Sequence, residues 1–394
     1  MDISSAAMNT RWLARNRIWI ALYRHGYDIR VEYKLPGIST LIDSYIDKPY
    51  YTHLRRIYDF LLRQDMLLNG RNKEKIGHSR RLEDCDVFLA CSNQVIELDE
   101  KHHFNMLRGE VLDMYPDDLP LAFNRKLYRQ KCSNVMPPNT VSIWNDVLRD
   151  FLPWIAGINP TARIDISAVS QDAISGSGQE ILKNVHSTDT KIKFHKNREG
   201  GIQKERDKDN VDEEKNLIYR YLLDRYDVVY WGYPTGLPAS LDGYYEMKGV
   251  YPLLHQIYSG IEGHRGRNIK TGQRSLAPCD IYIPAQHRVV ELDEYRHFSR
   301  LRRVALQNYP DRIQTAFDRE EYMMLCEKVN AKDDTPSYRD EQRAWYDTIR
   351  DFVPLIDSKY KPVIRMPLLQ SRKTDINLGK EALVKRMADS LLVE

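Results

Sequence analysis

The amino-acid sequence predicts a mixed α/β chain of two tandem units, each a small central sheet flanked by helices. Three observations carry this. Residues 85–135 recur as residues 279–329 without a gap, with about two positions in five identical. Each copy opens on two short β-branched and aromatic runs separated by polar turn residues. Amphipathic helical patterns bracket those runs on both sides.

The first copy opens CDVFLACSNQVIELDEKHHF and the second CDIYIPAQHRVVELDEYRHF. Further on, WNDVLRDFLP (144–153) returns as WYDTIRDFVP (345–354), and upstream GYDIRVEY (26–33) resembles RYDVVYWGY (225–233). The expected organisation is a first unit over 1–166, a flexible polar linker or insertion over 167–215, a second unit over 216–366 and a helical C-terminal tail over 367–394. The linker reading rests on SGSG (175–178) and HKNREGGIQKERDKDNVDEEK (195–215), which carry too little apolar surface to offset the entropy of ordering.

Within each unit, apolar spacing predicts helices over Arg11–Tyr23 and Tyr51–Leu62, matched by Leu217–Tyr226 and Tyr251–Ile261. A hairpin follows: Asp86-Val-Phe-Leu-Ala with Val95-Ile-Glu-Leu-Asp, and Asp280-Ile-Tyr-Ile-Pro with Val289-Val-Glu-Leu-Asp. Helices are expected over Leu107–Tyr115 and Leu301–Tyr309, each closed by the next Pro, and over Ala122–Cys132 and Ala316–Cys326. A last helix carries Trp144 to Phe151, or Trp345 to Phe352, and stops at Pro153 or Pro354. Its Arg-Asp-Phe reads as packing plus a local salt bridge.

Composition narrows the function. With 59 Lys+Arg against 56 Asp+Glu, the formal charge of +3 neither requires nor excludes nucleic acid. No apolar run approaches the roughly 18–20 residues of a membrane span, so no membrane association is expected. Five cysteines without a C-x-x-C pair argue against a zinc cluster or disulfide framework and favour a reducing cytoplasm.

The candidate chemistry lies in the hairpins. Each copy has Asp, ten residues, Glu, Leu, Asp, Glu: Asp86, Glu97, Asp99 and Glu100, then Asp280, Glu291, Asp293 and Glu294. Strand alternation points Glu97 and Asp99 to one face, with Asp86 alongside on the neighbouring strand. Three converging carboxylates repel one another, and a hard divalent cation, Mg2+ or Mn2+, relieves that cost. Metal-assisted phosphodiester hydrolysis is the chemistry such a site supports.

This pattern, D-(x)10-E-x-D on a β-hairpin between helices, resembles the PD-(D/E)XK nuclease superfamily, which includes many restriction endonucleases. Ala277-Pro278-Cys279-Asp280 leading to Glu291-Leu292-Asp293 is the closer copy. The resemblance implies that Asp280 and Glu291, and Asp86 and Glu97, are metal ligands. Asp99 and Asp293 stand where the family usually has Lys, which leaves the general base unassigned. His103 and His297 are candidates for base or for a phosphate-associated water, and Arg108 and Arg302 for holding the scissile phosphate. Further phosphate contacts are expected from Arg265, Arg267, Lys270, Arg274, Arg300 and Arg303. The partner implied is nucleic acid, with double-stranded DNA favoured, cut by a single-chain pseudo-dimer of restriction or defence type, with a further homodimer as an option.

Competing readings use the same residues. The acids could form a structural ion network with nearby arginines such as Arg108, the histidines could be structural, and the arginines could only neutralise carboxylates. The protein would then be a catalytically silent nucleic-acid-binding or scaffold protein. Glu100-x-x-His103 and Glu294-x-x-His297 also have the spacing of a di-iron carboxylate bundle.

Overall fold

The computed structural model describes residues 10–69, 81–133, 139–167, 211–264, 274–333, 338–368 and 380–391, with Gly266, Ile269 and Thr271. It divides into two compact units, one within Thr10–Ile202 and the other within Gln203–Glu394. Arg265, Arg267 and Lys270, expected as phosphate contacts, lie outside the described residues, as do the Gly- and Lys-rich stretches of the expected linker.

The first unit runs α1 (Thr10–Arg24), β1 (Ile29–Tyr33), α2 (Tyr51–Asn69), β2 (Cys85–Leu89), β3 (Gln94–Asp99), α3 (Met106–Asp113), α4 (Arg125–Lys131), α5 (Thr140–Asp150), α6 (Leu152–Ala156) and β4 (Asn159–Asp165). The second repeats this as α7 (Val211–Leu223), β5 (Tyr230–Tyr233), α8 (Tyr251–Gly263), β6 (Cys279–Ile283), β7 (Arg288–Asp293), α9 (Arg300–Gln307), α10 (Arg319–Val329), α11 (Arg339–Asp351), α12 (Val353–Ile356) and β8 (Ile364–Pro367). A last helix, α13 (Lys380–Leu391), packs on α7.

Each unit holds one mixed four-stranded sheet, β1-β2-β3-β4 or β5-β6-β7-β8. The first two pairings are antiparallel and the last is parallel. The hairpins β2–β3 and β6–β7 are the expected ones, and a flanking strand on either side, beyond the runs read from the sequence, completes each small sheet. Edge strands β1 and β5 are short, and β4 and β8 join in parallel only after the long excursion through α3–α6 or α9–α12, so local sequence gives no hairpin signal for them. The hairpin turns pass through positive φ at Asn93 (45°) and His287 (49°), a conformation Asn tolerates better than His.

Strands β3 and β7 are buried at every position, which places their acids inside the unit. The parallel register sets Arg163 of β4 beside Glu97, and Arg365 of β8 beside Glu291. Helix α5 is capped by Asn139, whose side chain accepts from Ser142 N at 2.7 Å. Pro153 and Pro354 sit in the first turns of α6 and α12, where a missing N–H costs little, so they start a new helix after the break.

Helix α7 begins at Val211, so residues 211–215, expected at the end of the linker, belong to a helix. Trp144 and Trp345 are fully buried and donate their indole N–H to Thr40 O at 2.9 Å and Ala239 O at 2.8 Å. Each ties its last long helix to the segment after the edge strand. Trp345→Ala should therefore destabilise the second unit by about 3–5 kcal/mol, because it opens a cavity and orphans a carbonyl. Urea unfolding followed by circular dichroism measures this, and a loss below about 1 kcal/mol would contradict the packing described.

Candidate metal centre

The acids of the hairpins fall into two groups with different surroundings. Asp86 and Asp280 open β2 and β6, and each uses Oδ2 to accept from a backbone N–H across the hairpin, Leu98 N or Leu292 N, at 2.7 Å. Their Oδ1 atoms face basic side chains from the first helix of the unit. Arg15 lies 3.3 Å from Asp86 and 3.8 Å from Glu100. Lys215 lies 4.0 Å from Asp280 and 2.8 Å from Glu294.

Glu97 and Glu291 sit deeper. Each Oε1 lies 3.1 Å from the Nε of an arginine, Arg149 or Arg350. Yet neither the carboxylate oxygen nor the Nε makes a hydrogen bond in either unit. The arginines spend an Nη2 on the backbone carbonyls just before β2 and β6, at 3.1–3.4 Å. Burial pushes both glutamates up to about 8, with the neighbouring guanidinium offsetting only part of it. A buried carboxylate oxygen without a hydrogen bond has the character of a cation ligand.

Asp99 and Asp293 belong to another network. Arg163 Nη1 donates to Asp99 at 2.8 Å, and Arg365 Nη1 contacts both oxygens of Asp293 at 2.7 and 3.0 Å. The same guanidinium groups bond Asp150 at 2.9 Å and Asp351 at 2.6 Å through Nε. Burial alone would raise Asp99, but Arg163 and His103 hold it below its ordinary value. The expected convergence of three hairpin carboxylates is thus corrected. Asp99 and Asp293 point along the same face as the glutamates, but a buried guanidinium from the parallel strand has claimed them.

Arg108 and Arg302, expected at the phosphate, are fully buried. Arg108 pairs with Asp150 and with Tyr115 OH at 2.7 Å, and Arg302 with Asp351 at 2.5 Å and Tyr309 OH at 2.8 Å. No nucleic acid can reach them without unfolding the unit. Arg300 is exposed and Arg274 is exposed, whereas Arg303 is half-buried and pairs with Glu327 at 3.3 Å. A groove of about 390 Å³ on α9 and α10, bordered by Arg303, Arg319 and Glu327, lies apart from the hairpin acids.

The histidines differ between units. His103 Nδ1 meets Asp99 at 2.8 Å, while His297 Nδ1 meets Asp347 at 2.9 Å and Asp293 at 3.3 Å. Burial alone would lower His297, but Asp347 and Asp293 raise it above its ordinary value. Asp293, His297 and Asp347 offer ligand atoms within 4.8 Å of one another and could hold a metal ion; among the described residues no other such group of three occurs. Glu100 and Glu294 precede three-residue 3-10 turns that end at His103 and His297, which does not supply the long helices of a di-iron bundle.

Sequence reasoning missed Asp146, Arg149 and Asp150 with their counterparts Asp347, Arg350 and Asp351, although the shared W-x-D-x-x-R-D-F held all three. It also missed Arg163 and Arg365, the single arginines of the last strand in each unit, and the Arg15/Lys215 pair. Cys85 and Cys279 are buried, and burial pushes their thiols well above the ordinary range, which fits packing rather than reactivity.

No protein-family model matches the chain, and no curated protein or solved structure is detectably similar to it. The structure therefore defines a protein of two similar mixed α/β units with a cluster able to bind a metal ion. Among the described residues no helix is long and apolar enough to cross a membrane.

The raised Glu291 gives a pH signature. The folded state keeps this proton to about pH 8, while the unfolded state releases it near the ordinary carboxyl value. Folded stability is therefore lost as pH rises between those limits. In chelator, Glu291→Gln should gain stability relative to the parent chain progressively from about pH 4.5 to 8. Unfolding midpoints across that range test this; a pH-independent difference would contradict it.

Proposed function

We propose that the protein is a metal-dependent nuclease of the PD-(D/E)XK type, hydrolysing phosphodiester bonds in nucleic acid, with double-stranded DNA as the favoured substrate. The observation that carries this is the pair of acids found twice at equal places: an Asp opening the second strand and a buried, hydrogen-bond-deprived Glu on the third. Asp280 with Glu291, and Asp86 with Glu97, are the residues that would hold the ion. A bound Mg2+ or Mn2+ supplies phosphate polarisation and a water of lowered pKa.

The chain's own residues support that role in definite ways. The backbone N–H of Leu98 or Leu292 fixes the orientation of the first acid, leaving Oδ1 for the ion. Arg149 and Arg350 pin the entry to the second strand and lie against the glutamate, where they offset part of the burial that disfavours its charge. Asp99 and Asp293, in the place of the family's usual Lys, are assigned to the sheet's internal ion network and not to water activation. Surface bases such as Arg274 and Arg300 are available for phosphate.

A silent binding or scaffold protein is the second reading, and it has a specific observation in its favour: every hairpin acid already has a basic side chain nearby. Plasmid cleavage separates the two. The nuclease reading expects nicking or cutting with Mg2+ that stops in chelator, and in Glu97→Ala/Glu291→Ala falls to the chelator background. Full cutting by that double variant would overturn this mechanism, and binding without cutting by the parent chain would favour the scaffold.

A further inference from the structure

The two units agree in sheet order, in the glutamate–arginine contact and in the buried Arg–Asp network, but apart from the histidines they differ at a second place beside the hairpin acids. Arg15-Asn16 of α1 and Lys215-Asn216 of α7 are equivalent, since both asparagines are buried and donate Nδ2 to the carbonyl four residues back, at 3.2 and 2.9 Å. The base before each Asn therefore reaches the same spot with different chemistry.

Arg15 brings one planar, permanently charged fork to two carboxylates at 3.3 and 3.8 Å. The side chains of Asp86 and Glu100 are left only 11% and 12% exposed. Lys215 is a point charge on a flexible stem, bonded to Glu294 and standing off from Asp280. Here Asp280 is 30% and Glu294 42% exposed. Near Asp280, Glu291 Oε1 is buried and, although Arg350 Nε stands 3.1 Å away, lacks a hydrogen bond. The second unit thus presents an open carboxylate in front of an unsatisfied buried one, and in the first unit a guanidinium covers the front.

We propose that the second unit alone binds the divalent ion, at Asp280 and Glu291, and that Arg15 has closed the equivalent place in the first unit. This inference rests on the nuclease reading for its choice of acids and adds that the duplicated chain carries one working centre and one structural copy. On the Asp280 side an entering cation displaces only the loose contact of Lys215, which keeps its bond to Glu294, and at Glu291 it meets the Arg350 contact that both units share in equivalent form. Entry at Asp86 must displace a guanidinium shared between two acids, at the cost of leaving it without either partner. A chain with one centre would nick one strand per encounter unless two chains act together.

Mn2+ titration of the full chain, with free Mn2+ followed by electron paramagnetic resonance, tests the proposal. One ion per chain is expected, with affinity at least tenfold weaker in Asp280→Asn and in Lys215→Arg, and a second ion gained in Arg15→Lys. Circular dichroism confirms folding of each variant, and Lys215→Arg keeps the test alive should Asp280→Asn fail to fold. Two ions bound by the parent chain, or one ion retained at full affinity by Asp280→Asn and Lys215→Arg, would overturn the inference. No bound ion in any form would sink the metal site itself, a distinct failure.

Discussion

A guanidinium buried inside each unit organises everything around it. Arg163 and Arg365 are almost wholly excluded from water, and each touches three acids from two elements: Asp99, Asp146 and Asp150, or Asp293, Asp347 and Asp351. A lone charge at such a place would cost several kcal/mol, so the strand, its arginine and the acids of the last long helix must assemble together. The parallel strand is thereby locked to the hairpin, and the helix to both. Replacing this network by apolar residues could leave stability unchanged; what the ions supply is one register, since a one-residue slip would strand every charge.

That network also explains the division among the hairpin acids. Asp99 and Asp293 are neighbours in sequence of Glu97 and Glu291 and share their face, yet the guanidinium of the parallel strand holds them as structural anions. Glu97 and Glu291 lie two residues nearer the turn of the hairpin, against an arginine whose Nη2 is spent on backbone carbonyls. They have charge nearby but no hydrogen bond. The site is assembled where the structural network ends, and its residual electrostatic demand is what a cation would meet.

Much of this was legible in the sequence, and the missing parts share a cause. The repeat, the hairpins and most helices were visible because they depend on local periodicity, and the acids stood out because both copies retain them. The parallel strands carried no such signal: Asn159–Asp165 is broken up by polar residues and Ile364–Pro367 is short, and both are distant from their partner and interrupted by the arginine that matters most. The role of W-x-D-x-x-R-D-F was underestimated for the same reason, since its Asp and Arg side chains answer residues some 50 to 70 positions away. Arg108 and Arg302 looked like surface bases at a helix start; only the tertiary position of Asp150 and Asp351 shows them to be buried. Lys215 was hidden by a boundary drawn after it.

Among the described residues of the second unit the inner group Asp293–His297–Asp347 is able to take an ion, whereas the proposed centre is the pair Asp280–Glu291, and the account depends on that pair. Anomalous diffraction from crystals of the full chain grown with Mn2+ distinguishes them directly. The predicted result is a metal peak between Asp280 and Glu291, with Arg365 still seated on Asp293. A peak at His297 and Asp347, or arginine contacts unchanged and no peak at either place, would contradict it.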